Sequence, residues 1–242
     1  MPLILEGNSW AVKVDGRILH AFNAADGSSL SGALAIYSHG HVYGTTAIGG
    51  VGPGCGTNSA CGTVYELSPS GSGFTESVVC TFGNGADGGG PQGGVVVDSA
   101  GNLYGTILYA GGGNGCGTVF RLSPNLSGGW TKNVLHNFDS SFGDGCFPYG
   151  GLAFDSAGNL YGTTASGGTN DTGAVFQLTP TLMNWELQRD LQLSTRRKRR
   201  RCEPTWNSCP RQRRQFVSHN LKWGIYNAGT VFEITPAKWG MD

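Results

Sequence analysis

The sequence predicts an all-β protein, a β-propeller of four blade-like repeats that each contain four short strands. One observation is composition: the 242 residues include 42 glycines, and only 13% are charged. High glycine with few charges is typical of short strands joined by tight turns. The second observation is a motif that recurs four times at nearly constant spacing, without helical periodicity.

The recurring motif closes each repeat. It reads CGTVYELSP (61–69), CGTVFRLSP (116–124), GAVFQLTP (173–180) and GTVFEITP (229–236). Its leading glycines are 55, 56 and 56 residues apart, at Gly62, Gly117, Gly173 and Gly229. The alternation of side chains predicts a strand, and the final proline ends it because proline cannot donate a hydrogen bond to a neighbouring strand.

Three other strands precede the closing motif. The first ends in phenylalanine, as GRILHAF (16–22), ESVVCTF (76–82) and KNVLHNF (132–138). The next two form a hairpin, in which DSAGN supplies an aspartate cap and a glycine of positive φ, before NLYGTILYAGG (102–112) and NLYGTTASGG (159–168). The first repeat has HVYGTTAIGG (41–50) here. A repeated unit of four strands favours a propeller over a sandwich or a solenoid.

The repeats define one predicted domain over residues 1–242. They span about 10–69, 70–124, 125–180 and 181–236. The same pattern describes either a complete four-bladed protein or a four-blade fragment of a larger propeller. The fourth blade is predicted to be disrupted, because its middle strands are replaced by a sequence of different composition.

The abnormal segment is strongly basic. Eleven of the 16 Lys and Arg residues lie between Thr181 and Trp223, which leaves 5 basic and 13 acidic residues elsewhere. The acidic remainder argues against a nucleic-acid surface, since phosphate binding needs clustered cations. We therefore expect no nucleic-acid partner.

Residues 189–223 are best interpreted as translated out of frame. Read one base later, codons for RRQFVSHNLKWG (213–224) can encode GGNLYxTTSNG, which restores the missing motif at the position that the repeat spacing requires. A solvated basic linker and a nucleic-acid-binding arm are the alternatives. The interpretation predicts low order and an irregular loop in place of the middle strands.

Taken together, the motifs GNLYGTT and GTVF-L-P resemble the GloVer tandem repeat of Gloeobacter, Verrucomicrobia and related bacteria. The resemblance runs from about residue 16 to 236, outside the basic segment. It implies an extracellular or cell-surface protein without established catalytic residues. Residues 1–10 lack a basic leader region, so we expect neither a signal peptide nor an anchor in this chain, and no apolar stretch is long enough to span a bilayer.

The seven cysteines predict disulfides. Cys55 and Cys61 can close a small loop, whereas a bond between Cys116 and Cys146 would join neighbouring blades. Cys80 lies within a strand and is expected to pack as a small apolar residue; Cys202 and Cys209 fall in the abnormal segment. Zinc is the alternative, but no CxxC pair supports it.

Candidate metal ligands recur as an aspartate followed by glycine. Asp26, Asp87 and Asp144 precede the second strand of successive repeats, where they form turns or, alternatively, ring one face and hold Ca²⁺. The pair His39 and His41 is a weaker metal candidate. His20 and His136 share a strand position, which favours structural repeats over catalytic bases. The recurring Tyr43, Tyr104 and Tyr161 suit either core packing or a channel lining.

We expect no catalytic residues, because the chain has neither a GxSxG elbow nor a phosphate-binding Walker loop. The predicted function is that of an extracellular or surface module, expected as a monomer, that binds a glycan or a protein through its loops. The alternative is a metal-dependent hydrolase or lactonase of the propeller type. We expect no cofactor, except Ca²⁺ if the aspartates bind it.

Overall fold

The computed structural model describes residues 3–6, 9–14, 17–51, 61–83, 85, 87–109, 115–168, 173–182, 184–188, 215–219 and 230–234. The strands are β1 Leu3–Glu6, β2 Ser9–Val14, β3 Arg17–Ala21, β4 Ser28–Ile36, β5 Val42–Ile48, β6 Thr63–Ser70, β7 Gly73–Thr81, β8 Val95–Val97, β9 Leu103–Ile107, β10 Thr118–Pro124, β11 Trp130–Asn137, β12 Ala153–Phe154, β13 Leu160–Thr163, β14 Val175–Pro180, β15 Trp185–Gln188, β16 Gln215–His219 and β17 Thr230–Ile234. Short 3₁₀ turns lie at Ser38–Gly40 and Ser140–Phe142.

Three antiparallel four-stranded sheets make up most of the described chain. We call them blade A (β4 to β7), blade B (β8 to β11) and blade C (β12 to β15); in each, the strands pair in chain order. Strands β1 to β3 form a three-stranded N-terminal sheet, and β16 pairs with β17. The predicted all-β class with blade-like, four-stranded sheets is confirmed.

The sheets divide the chain at a different point from the predicted repeats. The strand that opens repeat 70–124 is β7, and it pairs with β6, so that it forms the last strand of blade A. In the same way β11 pairs with β10. A tight turn joins β6 to β7, whose pairing continues to Ser70 and Gly73, and this local closure outweighs pairing with a more distant strand.

The abnormal segment contains a strand where the sequence predicts an irregular loop. Strand β16 pairs antiparallel with β17, and Val217 lies opposite Phe232. The out-of-frame interpretation aligns Val217 with Tyr161, but in blade C the residue opposite Phe176 is Gly162. The observed pairing of Val217 therefore differs by one residue from the register that this interpretation requires. That interpretation itself stays a prediction, and the other residues of 189–223 lie outside the described residues.

The blades pack face to face through their aromatic residues. Phe82 at the end of blade A lies 4.9 Å from Phe120 of blade B, measured between ring centroids. Phe138 at the end of blade B lies 5.0 Å from Phe176 of blade C. All four rings are buried, and burial of each such side chain stabilises the fold by about 1.5–3 kcal/mol. The phenylalanine that follows the last strand of one blade thus packs against the next blade.

A glycine in the YGT motif makes room for the aromatic residue on the next strand. Gly105 lies directly opposite Phe120, and a Cβ at Gly105 would be 2.5 Å from Phe120 Cζ. The same holds at Gly162, where Phe176 Cζ would be 2.3 Å away. Contacts this short exclude any larger residue, which explains why glycine and aromatic residues recur together.

The predicted hairpin turns are present in blades B and C. The Asp98 carboxylate accepts hydrogen bonds from the N–H groups of Ala100 and Asn102 (both 2.9 Å) and from the Tyr104 hydroxyl (3.0 Å). Asp155 accepts the equivalent bonds in blade C. Gly101 closes the turn with a φ of +82°, a conformation that favours glycine.

A disulfide joins Cys116, just before β10, to Cys146 in the loop that precedes blade C. This is the pairing between neighbouring blades that the sequence suggests. Cys61 is also disulfide-bonded, and Cys55, its predicted partner, lies outside the described residues. Cys80 is a half-buried free thiol, in keeping with its expected packing role.

Candidate functional site

The three recurring aspartates lie in the loops that follow β3, β7 and β11, and two of them fix their loops. Asp26 accepts a hydrogen bond from the Asn23 N–H at 2.7 Å and lies 3.0 Å from His20 Nε2. Asp144 accepts one from the Asp139 N–H at 2.9 Å and lies 2.8 Å from His136 Nε2. These carboxylates therefore act as turn formers that also tie the loop to a strand histidine.

Asp87 has a different partner. Cys80 of β7 stands where β3 and β11 have histidine, and the Lys132 ammonium of the neighbouring blade contacts the Asp87 carboxylate. Lys132 also lies 5.1 Å from the centroid of the Phe82 ring. Among the described residues, Asp26, Asp87 and Asp144 do not come together in one cluster; a Ca²⁺ site at any of them stays a prediction.

Glu76 joins the first of these loops to blade A. Its carboxylate lies with His20 and Asp26 in a group whose candidate ligand atoms are all within 4.8 Å of one another. Glu76 Oε1 is buried and has no hydrogen-bond partner among the described residues. Burial raises the pKa of Glu76; the nearby His20 opposes this shift and Asp26 adds to it.

The two histidines of the predicted pair have different hydrogen-bond partners. His41 Nδ1 lies 2.6 Å from a Glu66 carboxylate oxygen, whereas His39 Nδ1 lies 3.2 Å from the Ser38 hydroxyl. Tyr43 also donates to Glu66, at 3.1 Å. The hairpin of blade A thus holds a polar cluster around Glu66.

A groove of about 490 Å³ opens between the hairpin tips of blades B and C. One side is aromatic: Tyr104 lies 5.1 Å from Phe154 and 5.8 Å from Trp185, between ring centroids. Arg121 and Asp155 add charged groups to the lining. An apolar wall facing a few fixed polar groups is the usual make-up of a ligand site.

The polar groups of the groove are held in defined states. Burial raises the pKa of Asp155, but hydrogen bonds from Asn159, Tyr161 and Ala157 outweigh it, and the pKa lies below its ordinary value. Burial and the Asp98 carboxylate raise the pKa of Tyr104 to about 12. Arg121 Nε is buried without a hydrogen-bond partner among the described residues. The groove therefore presents the ionised carboxylate of Asp155, and the Arg121 side chain forms part of its lining.

The equivalent position between blades A and B is occupied. Tyr37 stands where blade B has Asp98, and its hydroxyl donates to the Ser99 carbonyl at 3.2 Å. Its ring lies about 3.4 Å from where a Cβ on Gly101 would be. Glu66 takes the place of Arg121. Asp98 thus leaves open, between blades B and C, the space that a tyrosine takes between blades A and B.

The sequence pointed to only part of this groove. Tyr104 was identified among the recurring tyrosines, and it packs between blades with its hydroxyl on Asp98. Arg121 and Trp185 were missed. A signal for Trp185 exists, since Trp130 and Trp185 both follow the closing proline, 55 residues apart.

The fold is that of an all-β repeat protein, and its candidate ligand site is the groove between blades B and C. A model of the Gloeobacter/Verrucomicrobia repeat matches residues 8–201. The chain belongs to this repeat family, as its motifs suggest. No curated protein matches the chain significantly. Within the described residues, helices of the length and apolarity needed to cross a membrane are absent.

Proposed function

We propose that the protein is an extracellular or cell-surface module that binds a glycan in the groove between blades B and C. The observation that supports this most directly is the pairing of an aromatic wall with charged groups, Trp185 and Phe154 against Arg121 and Asp155. Sugars present apolar C–H faces that stack on aromatic rings, and hydroxyls that need both donors and acceptors. The groove supplies aromatic rings, hydrogen-bond donors and hydrogen-bond acceptors.

The size and chemistry of the groove fit one to three sugar residues. Its volume of about 490 Å³ lies within the usual range of about 300–1,000 Å³ for ligand sites. The Asp155 carboxylate can accept from hydroxyls, and the guanidinium of Arg121 donates in a fixed planar geometry. The disulfide between Cys116 and Cys146 supports an oxidising compartment, where such bonds persist.

The proposal is tested with the full chain on a glycan array, followed by calorimetry on the sugars that bind. Asp98→Tyr copies Tyr37 of the preceding hairpin and should fill the groove. Because it also removes the carboxylate that caps its own hairpin, thermal unfolding is used to check that the variant folds. Trp185→Ala removes the aromatic wall. Trp130→Ala, at the equivalent position between blades A and B, is the matched control.

We expect Trp185→Ala to weaken binding about tenfold, because one aromatic contact contributes about 0.5–1.5 kcal/mol beyond its burial. Asp98→Tyr should weaken binding at least as much, because its ring would occupy the groove. The control should bind as the unmodified protein does. Absence of any bound glycan, or binding that Asp98→Tyr leaves intact, would overturn the proposal. Capture of a defined protein partner that Asp98→Tyr abolishes would instead favour a protein ligand.

A further inference from the structure

The junction between the N-terminal sheet and blade A carries a cluster that the glycan groove does not use. We propose that His20, Asp26 and Glu76 bind a divalent transition metal ion of the zinc type. His20 lies on β3, Asp26 in the loop after it, and Glu76 on the edge strand β7, which contacts β3. A bound ion would therefore join two sheets. This inference does not depend on the proposed function.

The geometry allows all three side chains to reach one ion. Their candidate ligand atoms lie within 4.8 Å of one another, and His20 Nε2 is 3.0 Å from Asp26 Oδ2. Ligands about 2.0–2.2 Å from a zinc ion lie roughly 3–3.5 Å apart, so only small side-chain movements are needed. The side chains of His20 and Asp26 are 25% and 13% exposed, which gives an ion access from solvent.

One carboxylate oxygen of Glu76 lacks a hydrogen-bond partner in the part of the chain that the structure describes. Its Oε1 is buried and accepts no hydrogen bond from a described residue, although a buried carboxylate oxygen normally has one. It also lies beside Asp26, a second carboxylate. Two neighbouring carboxylates repel each other when both are ionised, and a shared cation removes that repulsion.

At the junction between blades A and B, a lysine of the chain itself supplies the cation. Glu76 lies opposite Leu67 in blade A, and Lys132 lies opposite Leu122 in blade B, so the two residues are equivalent. Lys132 neutralises Asp87 there. At the junction between the N-terminal sheet and blade A the equivalent residue is the acid Glu76, so a cation from solution would be needed to balance the negative charge.

The third junction lacks the third ligand. Leu187 lies opposite Leu178 in blade C, so the residue equivalent to Glu76 at the junction of His136 and Asp144 is apolar. This junction retains the histidine and the aspartate without the glutamate. It supplies a natural control for the contribution of Glu76.

The ligand set selects the class of metal. One imidazole nitrogen and two carboxylates match zinc and related first-row ions, whereas Ca²⁺ and Mg²⁺ prefer oxygen ligands alone. Three protein ligands leave a fourth tetrahedral position for water. The alternative occupant is a proton on Glu76, which would equally relieve the repulsion from Asp26.

The experiment measures zinc binding to the full chain after chelator treatment, by calorimetry, with Co²⁺ absorption as a spectroscopic report of the ligand geometry. Three variants test the site: His20→Gln, Glu76→Gln and Glu76→Lys. The last copies Lys132 and places an ammonium where the ion would lie. His136→Gln is the matched control, and Cys80→Ser removes the free thiol as a competing ligand.

We expect one equivalent of Zn²⁺ to bind the unmodified protein and to raise its melting temperature. His20→Gln and Glu76→Gln should weaken binding at least about tenfold, as loss of even an outer-sphere partner does. Glu76→Lys should abolish the zinc-dependent rise while keeping the melting temperature measured in chelator. His136→Gln and Cys80→Ser should bind as before.

Two outcomes would overturn the proposal. One is the absence of saturable binding of a single equivalent, which would leave the proton as the occupant of the cluster. The other is binding whose affinity and Co²⁺ spectrum survive both His20→Gln and Glu76→Gln, which would place the ion elsewhere. Because Glu76→Gln preserves shape, it remains informative if Glu76→Lys fails to fold.

Discussion

Removal of the disulfide between Cys116 and Cys146 should cost a large part of the stability of the protein. The bond closes a loop across 30 residues and links blade B to the loop before blade C. For that separation the loss of chain entropy in the unfolded state corresponds to about 3.6 kcal/mol at 25 °C. Both cysteines are buried, so alanine is the suitable replacement and leaves no polar atom in the core.

The variant with both cysteines changed to alanine would be compared with the unmodified protein by urea and thermal unfolding without reductant. A loss of about 3.6 kcal/mol lowers the melting temperature of a chain this long by about 7–14 °C. Cys80→Ala is the control, since it removes a free thiol. A loss below about 1 kcal/mol in the double variant would refute the entropic argument, as would an equal loss in the control.

Two other predictions follow from the fold. Gly105→Ala should destabilise by about 1–3 kcal/mol, because its Cβ would meet Phe120; chemical denaturation measures this, and a double variant with Phe120→Leu should recover part of the loss if the clash is the cause. Asp155→Asn should destabilise at pH 7, and the difference from the unmodified protein should shrink as the pH falls below ~4, because a carboxylate whose pKa is lowered by folding stabilises only while it is ionised. A difference that stays constant from pH 7 to pH 3 would contradict the second prediction.

Local signals in the sequence were sufficient for the strands and turns. The DSAGN turns need an aspartate that accepts backbone N–H bonds and a glycine of positive φ, and Asp98 and Gly101 do this within five residues. The closing strands are marked equally locally by alternation and by proline. Such features depend on neighbours in the chain, so they can be predicted without knowledge of the fold.

The grouping of strands into blades was harder to predict, because a repeat spacing does not show at which strand a blade begins. The spacing of 55 and 56 residues is the same whether the strand ending in phenylalanine opens a repeat or closes one. Hydrogen bonding decides the matter: β7 pairs with β6 through a tight turn. Packing then uses the same strand again, since Phe82 lies against Phe120 of the next blade.

The candidate sites depend on contacts between repeats, which the motifs do not encode. The recurrence of Asp26, Asp87 and Asp144 was visible, but not that Lys132 from the adjacent blade would neutralise the second of them. Likewise the groove exists because Asp98 replaces the Tyr37 of the previous hairpin. Both features emerge only when equivalent positions of the blades are compared in space.

This comparison separates the residues that build the fold from those that vary at the junctions. The buried positions change little: the closing strands keep an aromatic residue at Tyr65, Phe120 and Phe176, each opposite a glycine. Two other residue positions of the same blades change in charge, one through Glu66, Arg121 and Gln177, the other through Glu76, Lys132 and Leu187.

A stack of sheets explains why such variation is tolerated. In repeat proteins each unit contacts mainly its neighbours, so a change at one junction leaves the others intact. The aromatic core carries the stability, and each junction is then free to acquire its own chemistry. The A–B junction is occupied by a tyrosine, the B–C junction is an open groove, and the junction before blade A gathers two carboxylates and a histidine. The binding chemistry of this protein is therefore to be sought between blades and not within them.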